Sequence, residues 1–255
     1  MRKVSVNLFQ GDCLHFLPLL GPDEVDVAIL DPPYGTKTAD WDNEPDPLVW
    51  EHLQRLCSDG PIAVFGYPKQ LMRWSRFFDN MELIGYIVWK HYNRPIPSAG
   101  LTRIHQDIAI WGKSIAQVDA DKVREPYSKE THLAKFHNAG NRLGLNAKAK
   151  GKTSRHVDGR RCTDVWDVAA PGIGFNSHLR KHPNEKPEDM VLRFLTLVAG
   201  GGDVVLDPFV GSGTTLVAAR LVGASAIGIE IEERYCEIAA SRLAQGVLPF
   251  AEDKK

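Results

Sequence analysis

Short apolar runs that end in acidic or turn residues, separated by stretches of helical spacing, constrain this chain more than any other feature. The runs fall at residues 4–9, 25–30, 61–67, 83–89, 108–111, 204–206 and 226–229. Their length and their content of Val, Ile and aromatic residues predict buried strands. Residues 47–57, 69–78, 188–199, 214–222 and 232–243 carry apolar residues at helical spacing. Strands alternating with helices predict a wound parallel sheet with helices on both faces. At 255 residues the chain has room for one substantial core and an insertion.

Residues 113–184 break the pattern, being polar, rich in Gly and without clear periodicity. Within them, residues 129–161 hold nine basic side chains, Lys129, Lys135, Arg142, Lys148, Lys150, Lys152, Arg155, Arg160 and Arg161, against the two acids Glu130 and Asp158. A charge run is commonly a solvated loop. Its length and one-sided sign favour a surface for phosphates, a role that the formal net charge of -1 does not reveal. The expected division is therefore 1–112, an inserted region 113–184, and 185–255. The cysteines, Cys13, Cys57, Cys162 and Cys236, show no CxxC spacing, which fits a reducing compartment rather than a disulfide framework. Arg2 and Lys3 are followed by no apolar run of signal-peptide length, so a cytoplasmic protein is expected.

Two motifs carry chemistry. Asp31-Pro32-Pro33-Tyr34 follows the apolar run 25–30, placing it at the carboxyl end of a strand, where open parallel sheets bind ligands. The prolines stiffen the loop, leaving the Asp31 carboxylate and the Pro32 carbonyl as acceptors. Two acceptors suit an exocyclic amine on a base, whose delocalised lone pair must be localised before it attacks. Tyr34 is then placed to stack on an extruded base. The plainer reading is a Pro-rich turn with Asp31 as a cap.

The second motif runs from Val204 through Asp207, Phe209, Gly211, Ser212, Gly213, Thr214 and Thr215, and reads as a strand, a glycine turn and a helix start. Glycines let backbone approach a ligand, and a helix N-terminus favours a carboxylate. No Gly-Lys-Ser/Thr follows, which excludes a nucleotide P-loop. Gly211 and Gly213 match the first two glycines of a dinucleotide site and Glu230 stands where a ribose-binding acid belongs, but Leu216 replaces the third glycine. A nucleoside ligand without a pyrophosphate remains, and S-adenosylmethionine is one.

Together these motifs resemble those of the amino-directed DNA methyltransferases. In that family the tetrapeptide is catalytic, and Asp rather than Ser in its first position implies the N6 amino group of adenine over the N4 of cytosine. The resemblance also implies cofactor roles for Asp12, Asp31, Lys186, Asp207, Phe209, Gly211, Ser212, Gly213, Thr214, Thr215 and Glu230. Lys186 would lie near the methionine carboxylate and Asp12 near the cofactor's adenine amino group. The catalytic motif precedes the cofactor motif, as in the group called beta. That order implies a circularly permuted Rossmann-like S-adenosylmethionine-dependent methyltransferase sheet with an inserted target-recognition region, acting on double-stranded DNA, with homodimerisation as a further expectation and a partner restriction endonuclease conceivable for such enzymes. His105-Gln106 departs from the family's frequent His-Glu.

Attack on carbon 5 of cytosine needs a nucleophilic Cys, usually after Pro, whereas the four cysteines follow Asp12, Leu56, Arg161 and Tyr235. His132, His137, His156, His178 and His182 have no metal-ligand spacing, and no metal is expected. Trp41 and the segment 92–103 are candidates for closing over DNA or simply for packing, while Trp50, Trp74 and Trp89 are expected in the core.

Overall fold

A computed structural model describes residues 4–36, 42–90, 101–114, 117–126, 158–169 and 185–245. Within these described residues, ten strands run in chain order as β1 (Val6–Gln10), β2 (Val27–Leu30), β3 (Ile62–Gly66), β4 (Glu82–Lys90), β5 (His105–Gly112), β6 (Arg124–Glu125), β7 (Arg160–Arg161), β8 (Val165–Asp167), β9 (Val204–Asp207) and β10 (Ser225–Glu230). The helices are α1 (Cys13–Phe16), α2 (Pro47–Leu56), α3 (Pro68–Trp74), α4 (Glu188–Val198), α5 (Thr214–Leu221) and α6 (Glu233–Ala244). The chain divides into two compact units, Met1–Asp119 with Asp164–Lys255, and Ala120–Thr163.

The larger unit is built on an eight-stranded sheet in the order β1-β10-β9-β2-β3-β5-β4-β8. The first strand therefore pairs with the last, Val6 opposite Ala226 through Gln10 opposite Glu230. This is the α/β permuted sheet that the motif order implies. Strands β1, β10, β9, β2 and β3 are mutually parallel. One strand of the otherwise parallel sheet, β5, runs antiparallel to both β3 and β4. A parallel pair requires a long crossover, commonly helical, and the sequence between Trp89 and Ile108 has no helix-patterned stretch to supply one. Val165–Asp167 extends the sheet beyond β4, although the sequence pattern puts it in the insert. Three residues are too short to show alternation.

Each face of the sheet is covered. On one, Ala28, Leu30, Ile62, Val64, Ala109 and Trp111 meet Trp50, Leu53 and Leu56 of α2, Leu71 and Trp74 of α3, and Phe78. Trp50 and Trp74 lie 5.4 Å apart, and Phe78 stacks on Trp111 at 4.3 Å. On the other, Gly228 allows Leu216 of α5 and Val210 to approach so closely that an added Cβ would sit 2.4 Å from Val210 Cγ2. Trp50, Trp74 and Trp89 are buried as the apolar pattern predicts. Among the described residues, no helix is long and apolar enough to cross a membrane.

In the smaller unit, β6 and β7 pair antiparallel, Arg124 opposite Arg161 and Glu125 opposite Arg160. Arg160 forms an ion pair with Glu125 at 2.9 Å, and Arg161 Nε donates to Asp121 at 2.8 Å. Both cations of the basic stretch that fall within the described residues thus have acidic neighbours. Lys129, Lys135, Arg142, Lys148, Lys150, Lys152 and Arg155, the five histidines 132, 137, 156, 178 and 182, and Trp41 lie outside the described residues.

Candidate active site

Parallel strands end on the same side of a sheet, so residues that follow them converge. Asp12 follows β1, Asp31 follows β2, and Asp207 and Glu230 close β9 and β10. All four line one cavity of about 350 Å³, within the range of small-molecule sites. The same cavity is lined by Pro32, Pro33, Tyr34, Lys186, Phe209, Gly211, Ser212, Thr214 and Thr215. Of the residues anticipated for catalysis or the cofactor, Gly213 does not line it. Gly213 holds φ +86° at the N-cap of α5, and a Cβ there would lie 2.8 Å from Ala239 Cβ on α6. Its lack of a side chain serves the packing of that turn against α6.

The tetrapeptide is tied down at several points. Lys186 Nζ donates to Asp31 Oδ2, and the Tyr34 hydroxyl donates to Asp31 Oδ1. Gln106 Nε2 of β5 donates in turn to the Tyr34 hydroxyl. The Tyr34 ring packs against Tyr67 at 5.4 Å and Trp74 at 6.3 Å. Asp42, buried in the loop before α2, accepts from the backbone N–H groups of Tyr34 (2.9 Å) and Gly35 (3.2 Å) and from the Thr36 hydroxyl. Gln70 of α3 reaches the Tyr34 carbonyl at 3.4 Å. Asp42 and Gln70 give no sequence signal, because each is a single polar residue beyond the motif.

The cofactor half is acidic. Glu230 Oε2 accepts from Gly211 N–H at 2.7 Å and Oε1 from Glu232 N–H at 2.8 Å, which leaves both oxygens further lone pairs. Burial raises its pKa above the ordinary glutamate value. Asp207, 4% exposed, accepts from Phe209 N–H at 2.9 Å, and burial pushes its pKa up to about 7, with Asp31 and Glu230 adding repulsion. Lys186, 9% exposed, also lies over the Phe65 ring at 5.3 Å. Asp12 accepts from Leu14 N–H at 2.9 Å and so caps α1, in addition to lining the cavity.

Arg242, on α6, is a member of the site that the sequence pattern hides, since it reads as one basic residue on an exposed helix. Its Nη1 donates to the Ser212 carbonyl (2.9 Å), Ser212 Oγ (3.0 Å), Thr214 Oγ1 (3.1 Å) and Glu185 Oε1 (3.2 Å). Its Nη2 donates to Glu188 at 3.0 Å. One guanidinium thereby joins the glycine turn to the segment that carries Lys186.

The sequence profile of the DNA methylase family, covering N6 and N4 enzymes, matches residues 25–241, from the strand before Asp31 to the helix beyond Glu230. The chain belongs to this family. The type II methyltransferase M.ScaI of Streptomyces caespitosus is 34% identical over 264 residues, covering 94% of this chain and 81% of the relative. The fold is also that of TTHA0409, a Thermus thermophilus protein solved in complex with S-adenosyl-L-methionine. The TM-score is 0.60 at 20% identity, with 96% of each chain covered. The PvuII DNA methyltransferase, described as cytosine-N4-specific, superimposes with a TM-score of 0.64 at 14% identity, covering 96% of this chain and 89% of that one. The family makes this chain a DNA methyltransferase, and Asp31 and the glycine turn lie within the matched segment.

Proposed function

We propose that this DNA methyltransferase moves a methyl group from S-adenosylmethionine to the N6 amino group of an adenine extruded from double-stranded DNA. The observation that carries the reading is the placement of Asp31, held by Tyr34 and Lys186, in the same cavity as Asp207 and Glu230. The residues fit the cofactor. Glu230 offers two carboxylate oxygens to a ribose diol, Lys186 and the N-terminus of α5 suit a carboxylate, and Asp207 and Asp31 offset positive charge. Phe209 and Ile231 add apolar surface beside Glu230. When bound, S-adenosylmethionine supplies an electrophilic methyl group on a sulfonium.

The chain's own residues supply the rest. Asp31 and the Pro32 carbonyl accept the two amine hydrogens, localising the nitrogen lone pair toward the methyl carbon. With the cofactor bound, the methyl group would pass to that nitrogen with the thioether as leaving group, and Asp31 would take the amine proton and release it to solvent. Tyr34, already braced by Tyr67 and Trp74, holds the base. Adenine is favoured over cytosine by aspartate at the first position of the tetrapeptide. The region 113–184 is proposed as the recognition insert, with the basic residues between Lys129 and Arg161 contacting phosphates, in a cytoplasmic protein that forms a homodimer. Light scattering tests the last point.

Asp31→Ala tests the core of the proposal. Transfer of labelled methyl should fall by about a thousandfold or more, as when a directly acting group is removed, while cofactor affinity measured by calorimetry stays within about tenfold. Retained transfer would remove Asp31 from the mechanism.

A further inference from the structure

We propose that Gln106 is a positioning residue that sets the direction of the Tyr34 hydroxyl hydrogen and so aims it at Asp31. The proposal rests on the methyl-transfer reading above. Gln106 is 4% exposed and sits on β5 between β3 and β4, paired opposite Trp89. Its Nε2 donates to the Tyr34 hydroxyl oxygen. A hydroxyl has one hydrogen, and an oxygen that accepts the carboxamide N–H turns that hydrogen elsewhere. Here it goes to Asp31 Oδ1.

The remaining freedom of Tyr34 is already removed. Its backbone N–H is fixed by Asp42, and its ring is packed by Tyr67 and Trp74. Only the hydroxyl torsion is left, and Gln106 sets it. With that hydrogen bond in place, Asp31 is anchored through Oδ1 from one side. Oδ2 carries the Lys186 contact, the position at which an incoming amine hydrogen competes. The charged groups facing this point are Asp31 and Lys186 across Tyr34, with Arg103 over the far ring of Tyr67 at 4.2 Å. His105 and Asp107 bond to each other at 2.8 Å. As neighbours along the strand they point to the opposite side of the sheet from Gln106.

The test compares Gln106→Leu, the length-matched Gln106→Met, Tyr34→Phe and the double variant Tyr34→Phe with Gln106→Leu. Methyl transfer to unmethylated genomic DNA is read as kcat from pH 5.5 to 8.5, with cofactor affinity by calorimetry and Tm for each protein. The expected result is a kcat loss of about tenfold for Gln106→Leu, cofactor affinity within twofold, and a double variant no slower than Tyr34→Phe alone. Gln106→Met, which keeps the length of the side chain without a donor, should lose as much as Gln106→Leu. Wild-type-like Gln106→Met, or losses that multiply in the double variant, would overturn the proposal. A wild-type protein that binds cofactor yet transfers no methyl to DNA would overturn the methyl-transfer reading, and this one with it.

Discussion

Replacing Asp207 by Asn should stabilise the cofactor-free protein at alkaline pH and do progressively less as the pH falls. Asp207 lies at the end of β9 with its carboxyl buried, and its pKa is carried from 3.8 to about 7. For an acid whose folded pKa is raised, the sign is the reverse of the usual carboxylate case. Above about pH 7 the native state holds a buried charge that the unfolded chain solvates freely, and the whole penalty is present. Between pH 7 and 3.8 the native state binds the proton first, so the penalty shrinks as pH falls and is gone below the unfolded value. A displacement of this size corresponds to ~4 kcal/mol at pH 8, and relaxation around the site brings a realistic expectation to roughly 2–4 kcal/mol. For a chain of this length that is a rise in Tm of roughly 5–15 °C. Asn keeps an oxygen for the Phe209 N–H that Asp207 accepts at 2.9 Å, so the exchange removes charge more than hydrogen bonding. Thermal unfolding of both proteins from pH 5 to 8 gives the answer, with the gap narrowing by more than half at pH 5. Burial also raises Glu230, so a trend of the same sign should persist in the variant. A Tm difference that does not vary with pH, or a variant less stable at pH 8, would refute the reasoning.

Gly213→Ala should cost roughly 2–4 kcal/mol, combining a left-handed φ of +86° with a Cβ 2.8 Å from that of Ala239. Adding Ala239→Gly should relieve the collision and leave the backbone strain, as read by denaturant midpoints. Arg242→Met removes the donor to Ser212, Thr214, Glu185 and Glu188, and at 13% side-chain exposure the loss should be ~3 kcal/mol of stability. It should also weaken cofactor binding by at least about tenfold in calorimetry, whereas unchanged affinity would confine Arg242 to a structural role.

Much of this fold is legible because β2, β3, β9 and β10 are short, apolar and largely buried, whereas β1 and β4, expected to be buried, leave much of their length exposed. The runs ending at Leu30, Tyr67 and Ile229 announce β2, β3 and β10, and Asp31 and the glycine turn announce the ligand-binding end. The direction of β5 is not legible, since buried strands look alike whichever way they run. Val165–Asp167 is missed for the lack of any period in three residues. At the site, many of the residues that touch the cavity belong to two contiguous motifs and can be found by spacing, whereas Asp42, Asn43, Phe65, Glu185 and Tyr235 also line it and belong to neither. Asp42, Gln106 and Arg242 act from loops, strands and helices distant in sequence. Each looks ordinary until the chain folds, and only Gln106 drew notice, through its departure from a family pattern. Gly213 falls outside the cavity lining for a similar reason, because a glycine that permits packing and one that admits a ligand have the same signature.

The measurement that most directly tests the central claim is transfer of labelled methyl from S-adenosylmethionine to unmethylated genomic DNA, followed by nucleoside mass spectrometry of the product. The account predicts N6-methyladenine, absent from the Asp31→Ala reaction. N4-methylcytosine in its place would contradict the assignment of the base, and the lack of any methylated nucleoside from a protein that binds the cofactor would contradict the account itself.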